Sequence, residues 1–170
     1  MNSRLVLMVL IGGIAGCAAM IYPQNAAEYR ARVSAPYIEK LEVKRSFHTV
    51  SDVLKKKKSA ECLNVSMTRR WMEPQGQYSV PRQQTVRYRP AMQVTAKRAE
   101  LQVQVDDGTR GGMQKVPEGG MYILVVDAYP AGNDRTRIEI YGGGEHFYKA
   151  VAEGVKNWAT GSNMACPKLP

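Results

Sequence analysis

The side chains able to do chemistry are few, and their spacing matches no catalytic pattern. His48 and His146 are the only two histidines. Imidazole is the group best suited to serve as a base or metal ligand near neutral pH. Glu145-His146, just ahead of an apolar stripe, would put one imidazole at the start of a helix, but Phe147, Tyr148 and Lys149 follow it, so the zinc pattern HExxH is absent. His48 sits beside Thr49 and Ser51, and only the fold could bring it to His146. The alternative is two surface histidines at strand-to-helix junctions. No GxSxG nucleophile motif occurs. Gly142-Gly143-Gly144 ahead of a helix can offer backbone amides to a phosphate, yet GxxxxGK[ST] is missing, and a flexible connection is the plainer reading. These residues predict no active site, no metal and no cofactor.

The N-terminus carries a stronger signal. Arg4 gives a short positive region, and Leu5 to Ile14 form an apolar run too short to span a bilayer. Ile14-Ala15-Gly16-Cys17 then ends that run with small residues and a cysteine. This resembles the lipobox of bacterial lipoproteins. The resemblance implies that residues 1–16 are a signal peptide, that Cys17 is diacylated and becomes the mature N-terminus, and that the chain is anchored by lipid. An ordinary secretory leader is the alternative. Ala18 in place of aspartate implies sorting to the outer membrane, with the domain facing the periplasm.

That location bears on the remaining cysteines and on the charge. With Cys17 assigned to lipid, Cys62 and Cys166 remain, an even number in an oxidising compartment. They are expected to form a disulfide, against the alternative of two free thiols. The formal charge of +9 would suggest nucleic acid in another setting. Behind such a leader, no nucleic-acid partner is expected. The anions in reach are lipid head groups, lipopolysaccharide, cell-wall carboxylates and acidic proteins.

The elements that must position these groups follow from periodicity. Residues 17–36 read as a lipid-anchored tether, with a short helical piece around Ala26 to Arg32. A single domain spans 37–170. Leu41, Val43 and Phe47 share one strand parity, interrupted by Arg45. Thr49 or Ser51 then caps a helix with Val50, Val53, Leu54, Lys57 and Glu61 along one side. Its lysines, Lys55, Lys56, Lys57 and Lys58, sweep round all faces, either as a contact for anions or as a solvated surface. Leu63, Val65 and Met67 begin another strand.

The stretch from Arg70 to Gln84, broken by Pro74, Gly76 and Pro81, reads as a long loop. Arg69, Arg70, Trp71 and Tyr78 give it the composition of a contact patch. Alternatively, Trp71 folds back as a lid on the sheet. Val86 to Ala96 and Leu101 to Val105 switch parity around a turn at Lys97 to Glu100, which predicts antiparallel neighbours, and Pro90 marks an edge or bulge. Met121 to Tyr129 is the most apolar strand and belongs at the centre of the sheet. A turn leads to Arg135-Thr136-Arg137-Ile138-Glu139-Ile140, with Arg135, Arg137 and Glu139 on its solvated register. Phe147, Val151, Val155 and Trp158 form the stripe of a final helix, Gly154 permits close approach to the sheet, and Gly161 ends the helix.

The expected fold is α+β, an antiparallel sheet of about five or six strands with two amphipathic helices packed on one face. This order is similar to the helix-grip or TATA-binding-protein-like modules of some envelope lipoproteins, a likeness of topology that implies no residue roles. The function expected is a noncatalytic interaction or accessory module of a cell-envelope assembly, not an enzyme, whose partner is an envelope protein or a cell-wall component. Its contact surface would be the uncovered sheet face with Arg135, Arg137 and Glu139, together with the Trp71 segment. The alternative is a lipid or small-molecule carrier with a cavity between sheet and helices; an envelope hydrolase ranks below both.

Overall fold

The computed structural model describes residues 22–108, 116–142, 146–163 and 165–169. The element order is α1 (Ala26–Arg32), a 3-10 turn (Ala35–Tyr37), β1 (Ile38–Val43), α2 (Phe47–Asp52), a π-helical continuation (Val53–Leu63), β2 (Ser66–Gln75), β3 (Tyr78–Val94), β4 (Ala99–Asp106), β5 (Met121–Pro130), β6 (Thr136–Gly142) and α3 (His146–Thr160). The strands form one antiparallel sheet in the order β1-β6-β5-β4-β3-β2. Thus β2 to β6 make a meander, and β1 closes on β6. The expected fold class holds.

Parity decides which face each strand buries. Leu101 and Val103 of β4, Leu124, Val126 and Ala128 of β5, and Ile138 and Ile140 of β6 turn to one face. There they meet Val50, Leu54 and Leu63 from the α2 and π-helical segment, and Val151, Val155 and Trp158 from α3. All are essentially inaccessible to solvent. Removing each large apolar side chain from water contributes about 1.5–3 kcal/mol. Val125, on the other face of β5, is equally buried, so the central strand is covered on both sides, as its unbroken apolar run predicts.

The first crossover helix departs from expectation in three ways. Its cap is Ser46, not Thr49 or Ser51: the Ser46 hydroxyl accepts from Thr49 N–H at 3.2 Å. Phe47 therefore starts the helix and is not the end of β1, while Ser51 lies inside it, buried, its Oγ with no hydrogen-bond partner among the described residues. Past Asp52 the helix widens to the π form, which is rare over such a length. Among the described residues its buried positions are Leu54, Ser59, Cys62 and Leu63, and Glu61 is exposed. Replacing Ser46 with alanine is expected to lower stability by about 1 kcal/mol, read as a shifted urea midpoint with an unchanged slope.

The C-terminal helix carries its stripe as predicted, with Val151, Val155 and Trp158 fully buried; the Phe147 side chain lies outside the described residues. Gly161, at φ 79°, ends α3, and the Gly161 and Ser162 amides both donate to Asn157 O. Arg45 donates from Nη1 to Trp158 O at 2.9 Å and Ala159 O at 3.1 Å, setting a cation on the helix's negative end. The nearest neighbour of Gly154 is the C-terminal tail and not the sheet. A Cβ there would approach the Pro167 ring at 3.1 Å, so the small residue admits the C-terminal tail. Trp158 Nε1 donates to Ala165 O, and the Cys62–Cys166 disulfide fastens the tail to the end of the π-helical segment.

Candidate interaction surface

The segment from Arg70 to Gln84 is not a loop. It is a β-hairpin: β2 pairs residue by residue with the first half of β3, from Ser66↔Arg87 to Gln75↔Tyr78, and β4 pairs only with the second half, from Arg87↔Asp106 to Val94↔Ala99. Ser66 to Arg87 is therefore a two-stranded ribbon that continues about 30 Å beyond the end of β4, from the usual rise per strand residue. The prolines misread as breakers occupy positions where a strand tolerates them. Tyr88 N–H donates to Val65 O, and alternation then turns the backbone nitrogens of Pro81 and Pro74 outward, away from the ribbon's own ladder. Gly76, at φ 63°, makes the turn. Pro90 lies where β2 has ended and β3 has only β4 beside it, the edge setting its presence predicts.

Arg69, Arg70, Trp71 and Tyr78 all lie on this ribbon. Trp71 is 46% exposed, Met72 59% and Tyr78 78%, which excludes the lid reading of Trp71. Three open grooves, of about 890, 460 and 520 Å³, share Trp71 in their walls. The ribbon carries four arginines, Arg69, Arg70, Arg82 and Arg87, against one glutamate. Arg82 is paired with Glu73 at 2.5 Å, whereas Arg69, Arg70 and Arg87 have no carboxylate partner among the described residues. Arg70 Nε instead donates to Gln83 Oε1 at 3.2 Å. Exposed apolar groups beside unneutralised arginines are the composition of interface centres.

The second expected surface is built differently. Arg137 and Glu139 do lie on the face opposite α2 and α3, but their charges are satisfied internally. Glu139 receives Lys40 at 3.6 Å, Arg137 at 3.7 Å and the Tyr141 hydroxyl at 2.7 Å. Burial together with that bond to Glu139 pushes the Tyr141 phenol up to about 12. Arg135 pairs with Glu42 at 3.1 Å, and Arg137 stacks over the Tyr129 ring at 4.9 Å. This face is also not uncovered: α1 lies on it.

The expected helical piece at Ala26 to Arg32 is therefore present, but the described part of the tether, from Tyr22 on, belongs to the folded domain and is no free spacer. Asn25 caps α1 by accepting Glu28 N–H. Tyr29 packs against Tyr122 at 5.9 Å, and Gly142, at φ 99°, leaves room for the Tyr29 hydroxyl, which a Cβ would strike. Arg30 donates to both oxygens of Asp127 at 2.7 Å and to Glu100, with its guanidinium 5.8 Å over Tyr141. Burial raises the carboxyl of Glu100, but hydrogen bonds from Arg30 and Gln102 and the charges of Arg30 and Arg98 outweigh it and hold the group below its ordinary value. The sequence signal for this contact was Asp127 itself, an ionisable group inside an apolar run, which demands a partner.

The other singled-out residues are dispersed. His48 is exposed and pairs with Asp52 one turn on, at 3.2 Å. The side chain of His146 lies outside the described residues, as do Gly143, Gly144 and Cys17 with the leader. Lys55 is exposed; the side chains of Lys56, Lys57 and Lys58 lie outside the described residues. Among the described residues no group of His, Cys, Asp and Glu could hold a metal, and no helix is long and apolar enough to cross a membrane. Comparison with protein-family models, characterised proteins and solved structures finds no match for this chain.

Proposed function

We propose that this chain is a noncatalytic, lipid-anchored module of a bacterial cell-envelope assembly that docks an envelope partner through the ribbon Ser66 to Arg87. Acylation at Cys17 holds it at the outer membrane, facing the periplasm. The observation that carries the reading is the ribbon. A two-stranded hairpin extending past its sheet is marginal on its own, and this one displays Trp71, Met72 and Tyr78 to solvent beside three arginines without acidic partners among the described residues.

The test places a photo-crosslinking residue at position 78 of the full-length protein in its native envelope, with position 97, in the turn at the other end of β3, as comparison. One dominant protein adduct is expected from position 78 and none from 97, and Cys17→Ser should diminish it by removing the anchor. Tyr78→Ala should reduce partner recovery while changing stability by less than about 0.5 kcal/mol, as for an exposed side chain. Equal labelling from both positions, or none above background at 78, rejects the ribbon as the docking element.

A further inference from the structure

β2 is the last strand of the sheet, and among the described residues no strand pairs with its outer side. Its inner groups are spoken for: with Tyr88 bonded to Val65, alternation directs the odd-numbered backbone groups of β2 toward β3 and the N–H and C=O of Ser66, Thr68, Arg70 and Met72 outward. Pro74, the next outward position, has no N–H and closes this row at the ribbon tip. An open edge of this kind is a template for one more strand. Resting on the ribbon as the docking element, we propose that the partner enters as an extended acidic protein segment added along the outer edge of β2, from Ser66 to Met72.

The occupant follows from charge and from geometry. Arg69 and Arg70 flank the open row, have no carboxylate partner among the described residues, and project to opposite faces because they are adjacent in a strand. A segment with carboxylates on both of its faces would neutralise both. The grooves at Arg70-Trp71-Met72 and at Arg69-Arg70-Trp71 accept its alternate side chains. A second copy of this chain fits poorly, because edge-to-edge pairing would set arginines against arginines. A flat lipid surface fits poorly as well, since the exposed Trp71 and Met72 lie on opposite faces of the ribbon and one plane cannot cover both. A strand lying in the edge touches both.

The test uses the isotope-labelled full-length chain in zwitterionic detergent, with a ten-residue peptide of repeating Thr-Thr-Glu-Glu, whose adjacent glutamates fall on both faces of an extended strand, as probe, taken to millimolar concentration. Amide hydrogen exchange should slow at Thr68, Arg70 and Met72 while the odd-numbered amides, already bonded within the ribbon, change little. The threonine-lysine counterpart should have no effect. Arg69→Glu with Arg70→Glu, a change that spares the backbone, should weaken the acidic peptide roughly tenfold. Thr68→Pro, checked for folding by its unfolding midpoint, should abolish the protection pattern by removing one outward donor. Side-chain attraction without slowed exchange at these three amides overturns strand addition. So does protection produced instead by anionic-lipid nanodiscs, or by raising the protein concentration without peptide. Crosslinks from position 78 without peptide-dependent protection overturn only the strand mode; absence of both overturns the docking role as well.

Discussion

Replacing Arg30 with methionine is expected to lower the stability of the domain by about 3 kcal/mol, the near end of the range for removing one partner of a buried ion pair. The guanidinium is 17% exposed, and the carboxylates it holds, Glu100 and Asp127, are 7% and 1% exposed. Without it both remain in the sheet face with Arg98, half exposed, at 3.1 Å from Glu100 and 4.0 Å from Asp127 as the remaining cation among the described residues, and with the Gln102 amide on Glu100. That residual contact keeps the loss from the upper end of the range. Arg30→Met combined with Glu100→Gln and Asp127→Asn should recover much of the stability, since what the single change exposes is uncompensated charge and not lost volume.

The pH dependence supplies an independent check. The Glu100 carboxyl lies below its ordinary value of 4.5 in the folded chain, so its contribution is fully present above that value and is lost as pH falls through the depressed folded one. In Arg30→Met, burial acts on Glu100 with its main opposing partner removed, and acid relieves the variant. The stability gap between wild type and variant should therefore narrow from pH 7 to about pH 3.5. Urea midpoints at the two pH values read it directly, and a constant gap would show that Arg30 acts by packing alone.

Loss of the disulfide should have an effect of similar size through the unfolded chain. Cys62 and Cys166 are 104 residues apart, and loop-closure entropy puts a crosslink of that span at about 4–5 kcal/mol. Cys62→Ala with Cys166→Ala should lower Tm by roughly 10–15 °C for a domain of this size. The tail has other holds in the native state, Trp158 Nε1 on Ala165 O and Gly154 against Pro167. The reduced fold should therefore persist at low temperature and fail on heating. Calorimetry with and without reductant tests this, and a shift of under about 2 °C would refute it. Amide hydrogen exchange separates the bridge from the ribbon: exchange at Thr68 and Arg70 should be unchanged by reduction.

Periodic information was legible along the chain. Val151, Val155 and Trp158 announce a helix face, the run from Met121 to Tyr129 a central strand, and Gly161 a helix end, because each depends on neighbours within a few residues. The two spare cysteines pointed to their own pairing. The ribbon was not legible, because Pro74 and Pro81 break strands in most registers. Only the pairing of β2 with β3 shows that both face away from the ladder. The cap at Ser46 was hidden by the shared parity of Phe47 with β1, and the π-helical turn by lysines that suit any helix period.

The sequence by itself determined the composition of the core, the α+β class and the residues able to make contacts, since burial and periodicity are properties of short stretches. The tertiary structure decided which of those contacts face outward. Arg135, Arg137 and Glu139, exposed by parity, are spent on Glu42 and Lys40 of β1, Tyr129 of β5 and Tyr141 of β6 itself. Arg30, read as part of a tether, is held by carboxylates 70 and 97 residues away. Arg69 and Arg70 have no carboxylate beside them among the described residues, on a ribbon that runs on past the end of β4 at Asp106. Whether a charge is satisfied depends on what the fold sets beside it in space, and separation along the chain does not encode that.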